Sequence, residues 1–310
     1  MQDAFQEETS VVRGYVQGAQ ENRCVIEDIA AVWRMARIVL RCPNAAGLVQ
    51  DPNTTAKIRG AWGRKLAEGA SEEALAKRPC PWPAPCAYDL FFNTHGTLGG
   101  RMEIPKPFVL ALDADGDDLV VGMTLFGIAA DWAGEAADAL VRALRHGLDQ
   151  AGNKRHHLVV SHRDVEQSNG VPVPADMPGG ARLVFISPVA LRSGEELHVR
   201  PASLIKSLGN RVDGFARWHG MALDLDPHDF SRAAEDVGAY AQWEIQRVPV
   251  WRRGSVAQNR QIGMAGVLGT LTLPPLPAFI AILVALGACT HAGSRAALGM
   301  GRYRLLLPGI

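Results

Sequence analysis

The chain has 310 residues, of which 47% are apolar and 21% charged, and this composition excludes an intrinsically disordered protein. Its 32 basic and 32 acidic residues cancel, so attraction to a polyanion has to come from a local region. Five cysteines and a polar, acidic first segment without a signal peptide argue against secretion and favour the reducing cytoplasm. The length allows two ordinary domains.

The first half of the chain reads as a polar, partly helical extension over residues 1–30, followed by a mixed domain. Apolar periodicity predicts strand, helix, two strands, helix and strand, over residues 37–41, 54–66, 106–112, 119–126, 133–148 and 157–160. Thr54 and Ser71 are the predicted N-caps of the first helix and of a short inserted helix. We place the domain at 31–168, with a helical and Pro/Cys-rich insertion near 68–100.

The second half repeats the same order of elements. Strands are predicted over 182–191, 243–251, 263–273 and 303–307, and helices over 201–220 and 278–286. The order β-α-β-β-α-β therefore occurs twice, which is the split βαβ or ferredoxin-like unit. The predicted fold class is α+β, with tandem ferredoxin-like (RRM-like) domains and the second domain at 180–310.

One segment imitates a membrane span, because residues 261–290 contain no charged side chain. A spanning helix needs about 20 continuous apolar residues. Pro274, Pro275 and Pro277 interrupt the run. We therefore expect a buried strand, a turn and a core helix, and no membrane partner.

The C-terminal segment carries the strongest functional signal. Residues 245–310 contain seven arginines and neither Asp nor Glu, so this end has a charge of +7 while the rest has −7. A glycine loop with Gly293, Gly299 and Gly301 lies between a helix and a strand, and glycines allow positive φ and close backbone approach. Basic residues beside such a loop indicate RNA contact. The predicted RNA-binding residues of the C-terminal domain are Arg247, Trp251, Arg252, Arg253, Arg260, Gly293, Arg295, Gly299, Gly301 and Arg302.

Metal and cofactor motifs are weak. The acidic run 113–118 has its glycine at the fourth position, and Thr124 stands at the twelfth, so a hairpin turn is predicted instead of a calcium loop. Cys80 and Cys86 lack a partner pair for zinc. The glycine loop precedes a strand and lacks a following Gly-Lys-Ser/Thr, so it is neither a dinucleotide motif nor a P-loop. We predict no metal and no cofactor.

Four stretches, in order and spacing, resemble the CRISPR-associated endoribonucleases that process precursor crRNA, members of the RAMP superfamily. They are Ile58-Arg-Gly-Ala-Trp-Gly-Arg-Lys-Leu66, Leu125-Phe-Gly-Ile-Ala-Ala-Asp-Trp132, Phe185-Ile-Ser-Pro-Val-Ala-Leu-Arg192 followed by the helix 201–220, and the glycine loop 293–303. The resemblance covers residues from about 35 to 307. A divergent branch, with a type IV system as a guess, is suggested by the long N-terminal extension.

The resemblance implies metal-independent cleavage of CRISPR repeat RNA at the 3′ base of a stem-loop. Attack of a 2′-hydroxyl on the adjacent phosphate would give a 2′,3′-cyclic phosphate and a 5′-hydroxyl, and the product would stay bound in an effector complex with other subunits. The alternative implied by the same resemblance is a non-catalytic crRNA-binding RAMP subunit. A general RNA-binding protein is a third class, but the aromatic-rich strand signature of RRM modules is missing.

The catalytic residues depart from the family pattern. Many relatives have a histidine near the first strand and helix, and this chain has none before His95. Two alternatives stay open: arginines act electrostatically, or His95 or His291 folds into the site. The candidate catalytic residues are Arg37, Arg59, His95 and Arg23, with Lys57 and Arg64 as further RNA contacts. His219, at the end of the helix 201–220, is expected to be a packing or capping group.

Overall fold

The computed structural model describes residues 11–100, 102–149, 154–172, 176–193, 196–197, 200–255 and 260–307. The first ten residues of the predicted extension lie outside this set. Helices are found at α1 (Val11–Gly18), α2 (Ile26–Ala31), α3 (Thr54–Ala67), α4 (Glu72–Leu75), α5 (Ala87–Phe92), α6 (Ala133–His146), α7 (Pro201–Ala216), α8 (Pro227–Tyr240) and α9 (Ala278–Thr290).

The strands form two four-stranded sheets and several two-stranded pairs. In chain order they are β1 (Arg23–Cys24), β2 (Arg34–Cys42), β3 (Thr97–Leu98), β4 (Met102–Glu103), β5 (Phe108–Asp115), β6 (Asp118–Phe126), β7 (Leu148–Asp149), β8 (Arg155–His156), β9 (His162–Asn169), β10 (Ala181–Phe185), β11 (Arg192–Ser193), β12 (Glu196–Leu197), β13 (Ala222–Leu223), β14 (Gln242–Arg247), β15 (Val250–Ser255), β16 (Arg260–Ala265), β17 (Leu268–Leu273) and β18 (Tyr303–Leu306).

The N-terminal sheet has the strand order β5-β6-β2-β9 and is antiparallel throughout. Along β2, Ala36, Ile38 and Leu40 are fully buried, whereas Arg37 is exposed and Val39 is half-buried. This period of two places one face of the sheet against the core with α3 and α6. The other face is left open, and Arg37 lies on it.

The C-terminal sheet repeats this topology with the order β14-β17-β10-β18. Helices α7 and α9 pack against each other, and α9 also contacts β18. The hairpin β15–β16 is inserted between two strands of the sheet, β14 and β17. The predicted tandem ferredoxin-like fold is therefore confirmed.

The two halves meet at the end of α7. Trp218 Nε1 donates to Pro105 O at 2.8 Å, and the His219 ring stacks on Trp33 with 4.6 Å between centroids. The amide of Arg34 donates to His219 Nε2 at 2.9 Å. Burial lowers the pKa of His219, so the ring is neutral at pH 7. His219 is the packing group that the sequence indicated.

Three local predictions were wrong or incomplete. The strand that closes the N-terminal sheet is β9, not 157–160, and all eight of its residues are exposed, so no apolar alternation marks it. Helix α8 was not predicted, although Asp226 caps it by accepting from the amides of His228 and Asp229. Thr54 begins α3 but does not cap it, because its hydroxyl donates to Leu48 O at 2.7 Å.

Other local predictions are confirmed. The acidic run forms a tight hairpin with Asp115 opposite Asp118 and Gly116 at φ +60°. The Ser71 side chain caps α4 by accepting from the amide of Ala74. Among the described residues, no helix is both long and apolar enough to cross a membrane. The uncharged helix α9 is a core helix, with most of its residues buried.

Candidate nucleic-acid interface

Two adjoining cavities lie between the N-terminal sheet and the C-terminal half. The sheet-side cavity has a volume of about 670 Å³ and is lined by the open face of the N-terminal sheet and the end of α9. The hairpin-side cavity has about 330 Å³ and is lined by the start of α3, the hairpin β15–β16 and the glycine loop. Ala111, Asp113 and Arg302 line both cavities. We call the two together the interdomain groove.

Arg37 lies in the sheet-side cavity. The strand register places it opposite Thr124 on β6 and Glu166 on β9. Its side chain is exposed, and within the described part of the chain it makes no hydrogen bond or ion pair. A guanidinium without a partner on an open sheet face is suited to bind a phosphate through paired N–H groups.

His291 lines the same cavity at the end of α9. Its backbone has φ +60°, and Arg211 donates to its carbonyl oxygen at 2.8 Å. The ring is 4% exposed, and its Nδ1 has no hydrogen-bond partner among the described residues. Burial, with the charges of Arg211 and Arg302, lowers the pKa of His291 to about 3. The imidazole is therefore neutral at pH 7 and is a weak base.

The hairpin-side cavity gathers residues that are far apart in the sequence. Arg247, Trp251 and Arg253 line it from the hairpin region, and Gly299 lines it from the glycine loop. Arg252, between two of these residues, is exposed and lines neither cavity. Alternation along β15 thus divides two neighbouring arginines between the groove and the solvent.

Two side chains hold the hairpin β15–β16 in place by donating hydrogen bonds to its backbone carbonyls. Asn53 Nδ2 donates to Arg252 O at 3.2 Å. On the other strand of the hairpin, Arg295 Nη1 donates to Gly263 O at 3.1 Å. Arg295, a predicted RNA contact, therefore fastens the glycine loop to the hairpin.

The acidic residues of the hairpin-side cavity already have cationic partners. Asp51 accepts from Lys57 Nζ at 2.8 Å, and Asp113 accepts from Arg302 Nη1 at 2.7 Å. Burial raises the pKa of Asp51, but the hydrogen bonds from Lys57 and Asn53 outweigh it and lower the pKa. Both carboxylates are thus paired, and the lowered pKa of Asp51 keeps that group ionised at pH 7.

Two cations of this cavity remain without a carboxylate. Arg247 and Arg253 make no ion pair within the described residues. Unpaired arginines in a concave site raise the local concentration of anions. The hairpin-side cavity is therefore an anion-attracting site beside an aromatic ring, Trp251.

Arg59 lies beside the hairpin-side cavity and not in its wall. Its guanidinium lies over the ring of Phe92, 4.9 Å from the centroid, and its Nε is buried without a partner among the described residues. Burial, followed by the charge of Arg253, lowers its pKa to about 10. Arg59 is still a cation at pH 7, and its charge adds to that of Arg253.

The glycine loop is a tight turn whose close approaches are to the protein itself. Gly293, Gly299 and Gly301 have φ of +72°, +80° and +76°. A Cβ on Gly301 would collide with Ala292 O, and one on Gly299 would come within 2.8 Å of Thr55 Cγ2. Glycine is therefore required by both the backbone conformation and the packing. Of the three, Gly299 lines the groove.

Several predicted site residues lie away from the groove. Arg23 pairs with Asp224 at 2.9 Å, and Arg64 pairs with Asp149 at 3.0 Å. Lys57 lines neither cavity, although its partner Asp51 lines one. These three cations are placed in structural ion pairs on the surface.

His95 is buried in a different part of the molecule. Its Nε2 lies 2.8 Å from Asp89 O, and its ring contacts Trp218 edge-on. It lines neither cavity of the groove. Of the two histidines left open by the sequence, the structure brings His291 to Arg37. Arg260 begins β16, and its side chain lies outside the described residues.

Residues that sequence reasoning missed include Arg211 and Cys289. Arg211 Nη2 donates to Thr290 O at 2.6 Å, so this side chain holds the C-terminal end of α9. Cys289 lines the sheet-side cavity, and burial raises the pKa of its thiol, so the thiol is protonated. A cation in one helix that satisfies the carbonyls of another has no local sequence signal.

Among the described residues, no group of three or more His, Cys, Asp and Glu side chains could hold a metal ion. Cys80 and Cys86 lie in a small buried cluster with Ala74.

Two family models match parts of the chain. Residues 183–303 match the model of the CRISPR-associated endoribonuclease Cas6, and residues 33–176 match a family model described as an N-terminal domain (AF_1859_N). No curated protein is a significant match to the chain.

Two solved structures share the fold. The Cas6 (TTHB231) product complex has a TM-score of 0.52 and 15% identity, over 89% of this chain and 100% of that chain. Thermus thermophilus Cas6 (TTHB231) has a TM-score of 0.50 and 13% identity, over 89% and 100% of the two chains. The resemblance found in the sequence is therefore confirmed: the chain has the fold of the Cas6 endoribonucleases, and its C-terminal half matches the model of that CRISPR-associated family directly.

Proposed function

We propose that the chain is a metal-independent endoribonuclease that cleaves CRISPR repeat RNA at the 3′ base of a stem-loop and retains the product. The observation that supports this most is the interdomain groove, where Arg37, Arg247 and Arg253 have no ion pair within the described residues. The match of residues 183–303 to the Cas6 family model supports RNA of a CRISPR system as the substrate class.

The two cavities suggest a division of tasks. Trp251 and Arg253 in the hairpin-side cavity would hold unpaired nucleotides, the ring by stacking and the guanidinium by contact with a phosphate. Arg37 in the sheet-side cavity would contact the scissile phosphate. The bound RNA strand is expected to pass directly from one cavity to the other, because the two cavities share wall residues.

The chemistry is an internal transesterification. The 2′-oxygen forms a bond to the adjacent phosphorus, and the bond from phosphorus to the 5′-oxygen breaks. Solvent water accepts the proton of the 2′-hydroxyl and donates one to the leaving 5′-oxygen, so the products are a 2′,3′-cyclic phosphate and a 5′-hydroxyl. Arg37 would stabilise the charge that grows on the phosphorane, which preorganised donors do more strongly in the transition state than in the ground state.

A second candidate function is supported by a specific observation. The histidine that lines the groove within the described residues is His291, whose pKa of about 3 makes it a poor general base near pH 7. A RAMP subunit that binds crRNA without cutting it needs the cations but no base. The two functions share the groove and differ in the reaction.

The test uses the purified protein and end-labelled repeat RNA in excess EDTA, with both ends of each product mapped. One defined cut with a cyclic phosphate and a 5′-hydroxyl is the expected result. Tight binding without a cut would leave the binding subunit as the function. A cut that requires added Mg²⁺, or one that leaves a 5′-phosphate, would contradict the proposed mechanism.

A matched substrate sharpens the test. The same RNA with a single 2′-deoxy nucleotide at the mapped cut removes the attacking oxygen and changes little else. We expect the protein to bind it as tightly as the parent RNA and to leave it intact. Cleavage of the deoxy substrate would exclude attack by the 2′-hydroxyl.

A further inference from the structure

A second basic surface lies on the helix side of the N-terminal sheet, away from the groove. We call it the helix-side basic surface. It is formed by residues of α3, α6, β8 and β9, which are Arg64, Lys65, Arg142, Arg145, His146, Arg155, His162 and Arg163.

Two cavities lie along this surface. One of about 400 Å³ lies between α6 and β9 and is lined by Arg142, Arg145, His162 and Arg163, among others. A smaller one of about 100 Å³ is lined by Arg64, Lys65, His146 and Arg155. Glu68 connects them: its pKa is lowered first by the hydrogen bond from Lys65 and also by the charges of Arg142 and His146. The cations therefore form one continuous surface.

The charges of this surface do not cancel. Six arginines and lysines face three carboxylates, Glu68, Asp138 and Asp149, each of which has a cationic partner. Arg142 and Arg145 are exposed and make no ion pair within the described residues. The surface keeps an excess of positive charge that its own acidic residues do not satisfy.

His146 reports the resulting potential. The charge of Lys65, and then that of Arg155, lowers the pKa of its ring. The C-terminal end of α6 accounts for part of the local charge, because cations are favourable near the last carbonyls of a helix. Arg142 lies before that last turn, and Lys65 and Arg155 lie on other elements, so the helix end does not explain the whole surface.

The position of the surface relates it to the groove. Helix α6 packs on the covered face of the N-terminal sheet, and the groove lies on the open face. Strand β9 is the edge between them, with Glu166 opposite Arg37 and Arg163 three residues away. Three residues of a strand span about 10 Å. A polynucleotide that leaves the groove over this edge therefore reaches the helix-side basic surface within about that distance.

We propose that the helix-side basic surface binds the phosphate backbone of RNA that flanks the segment held in the groove. This inference rests on the proposed function for the identity of the RNA. No Trp, Tyr or Phe lines either cavity of the surface, so binding depends on phosphates and not on stacked bases. Recognition is independent of sequence and is sensitive to salt.

The test measures binding of a fluorescent 20-nucleotide oligouridine, in EDTA and at several salt concentrations. The variant is R142E/R145E. Its matched control is R182E/R304E, which makes the same charge change at exposed residues of the C-terminal sheet that line none of these cavities. We expect the variant to lose at least about tenfold in affinity and to have a shallower salt dependence, while the control stays within about twofold.

A second readout follows His146 by NMR. Saturating oligouridine is expected to raise the pKa of His146, because the phosphates offset Lys65 and Arg155. Equal affinities of the two variants, an unchanged His146 titration, or no binding of oligouridine by the parent protein would overturn the inference. Cleavage of a minimal hairpin is measured separately: its absence, with the binding difference intact, would contradict the proposed function and leave this surface standing.

Discussion

The two cavities of the interdomain groove differ in what surrounds their cations. The hairpin-side cavity has exposed or half-buried arginines beside Trp251, with its carboxylates already paired. The sheet-side cavity is lined by one exposed arginine, Arg37, and by the buried and neutral His291. The first arrangement is suited to hold a polyanion, and the second is suited to act on one phosphate.

Under the proposed function, this difference makes binding and cleavage separable. Electrostatic attraction needs only cations that are accessible, whereas catalysis needs a group that contacts the reacting phosphate in the transition state. Substitutions in the two cavities should therefore produce different kinetic signatures.

Arg37→Ala should have the largest effect. Removal of one preorganised donor to a developing charge typically costs about 10²–10³ in rate. We expect the single-turnover cleavage rate to fall by about this factor, while the dissociation constant for uncleavable RNA changes less than about threefold. Rapid-quench kinetics at saturating protein measure the rate.

Arg41→Ala is the matched control for this experiment. Arg41 lies on the same strand, pairs with Asp115 at 2.5 Å and lines neither cavity. Its rate should be close to that of the parent. If both variants cleave at the parental rate, Arg37 has no part in the chemistry.

Gly301→Ala should destabilise the wall that both cavities share. Gly301 has φ +76°, and a Cβ there would collide with Ala292 O. Strain of this kind costs about 2–3 kcal/mol in unfolding free energy, measurable by urea denaturation. Gly60→Ala in α3, where the new Cβ meets nothing closer than 4.0 Å, should instead stabilise by about 0.5–1 kcal/mol. An unchanged midpoint for Gly301→Ala would contradict the structure of the loop.

His291 should make stability depend on pH. Its pKa of about 3 in the folded protein lies below its ordinary value of 6.5. Between these two values the unfolded chain therefore binds a proton that the folded chain does not bind. The contribution of the neutral His291 ring to the free energy of unfolding is fully present above pH 6.5 and is lost progressively as the pH falls toward 3. At pH 5 the loss amounts to about 2 kcal/mol.

His291→Asn removes this titration and serves to measure it. Urea denaturation between pH 4.5 and 8 gives the free energy of unfolding of both proteins. As the pH falls, this free energy should decrease more for the parent than for His291→Asn, so the two values converge toward low pH. Parallel curves would mean that His291 is not buried as a neutral ring. The cleavage rate between pH 6 and 8 should show no step that His291→Asn abolishes.

Arg253→Ala should have the smallest effect and the opposite signature to Arg37→Ala. We expect the affinity for RNA to fall about tenfold and the rate at saturation to stay near the parental value. Arg252→Ala makes the same charge change on the neighbouring residue, which lines neither cavity, and should weaken binding less. Equal losses for the two would indicate that only the net charge of the hairpin matters.

Much of the fold could be predicted because its strands alternate. Strand β2 buries Ile38 and Leu40 and leaves Arg37 exposed, so its period of two is visible in the sequence. Strand β9 could not be found in this way, because every one of its residues is exposed and its place in the sheet comes from backbone pairing with β2. Helix α8 has a readable start at Asp226-Pro227, but it is additional to the β-α-β-β-α-β order and was not predicted.

The site could be predicted in its composition and not in its arrangement. The basic C-terminal segment does supply Arg247, Arg253 and Arg302 to the groove. Which arginines are left unpaired depends on carboxylates that come from distant elements, such as Asp224 for Arg23. The neutrality of His291 follows from its burial, which no sequence spacing reveals.

The most direct test is an experimental structure of the protein with repeat RNA that carries a 2′-deoxy nucleotide at the cut. We expect the scissile phosphate to lie within hydrogen-bond distance of the Arg37 guanidinium, with an adjacent unpaired base against Trp251. A scissile phosphate placed outside the sheet-side cavity, with Arg37 still in solvent, would contradict it.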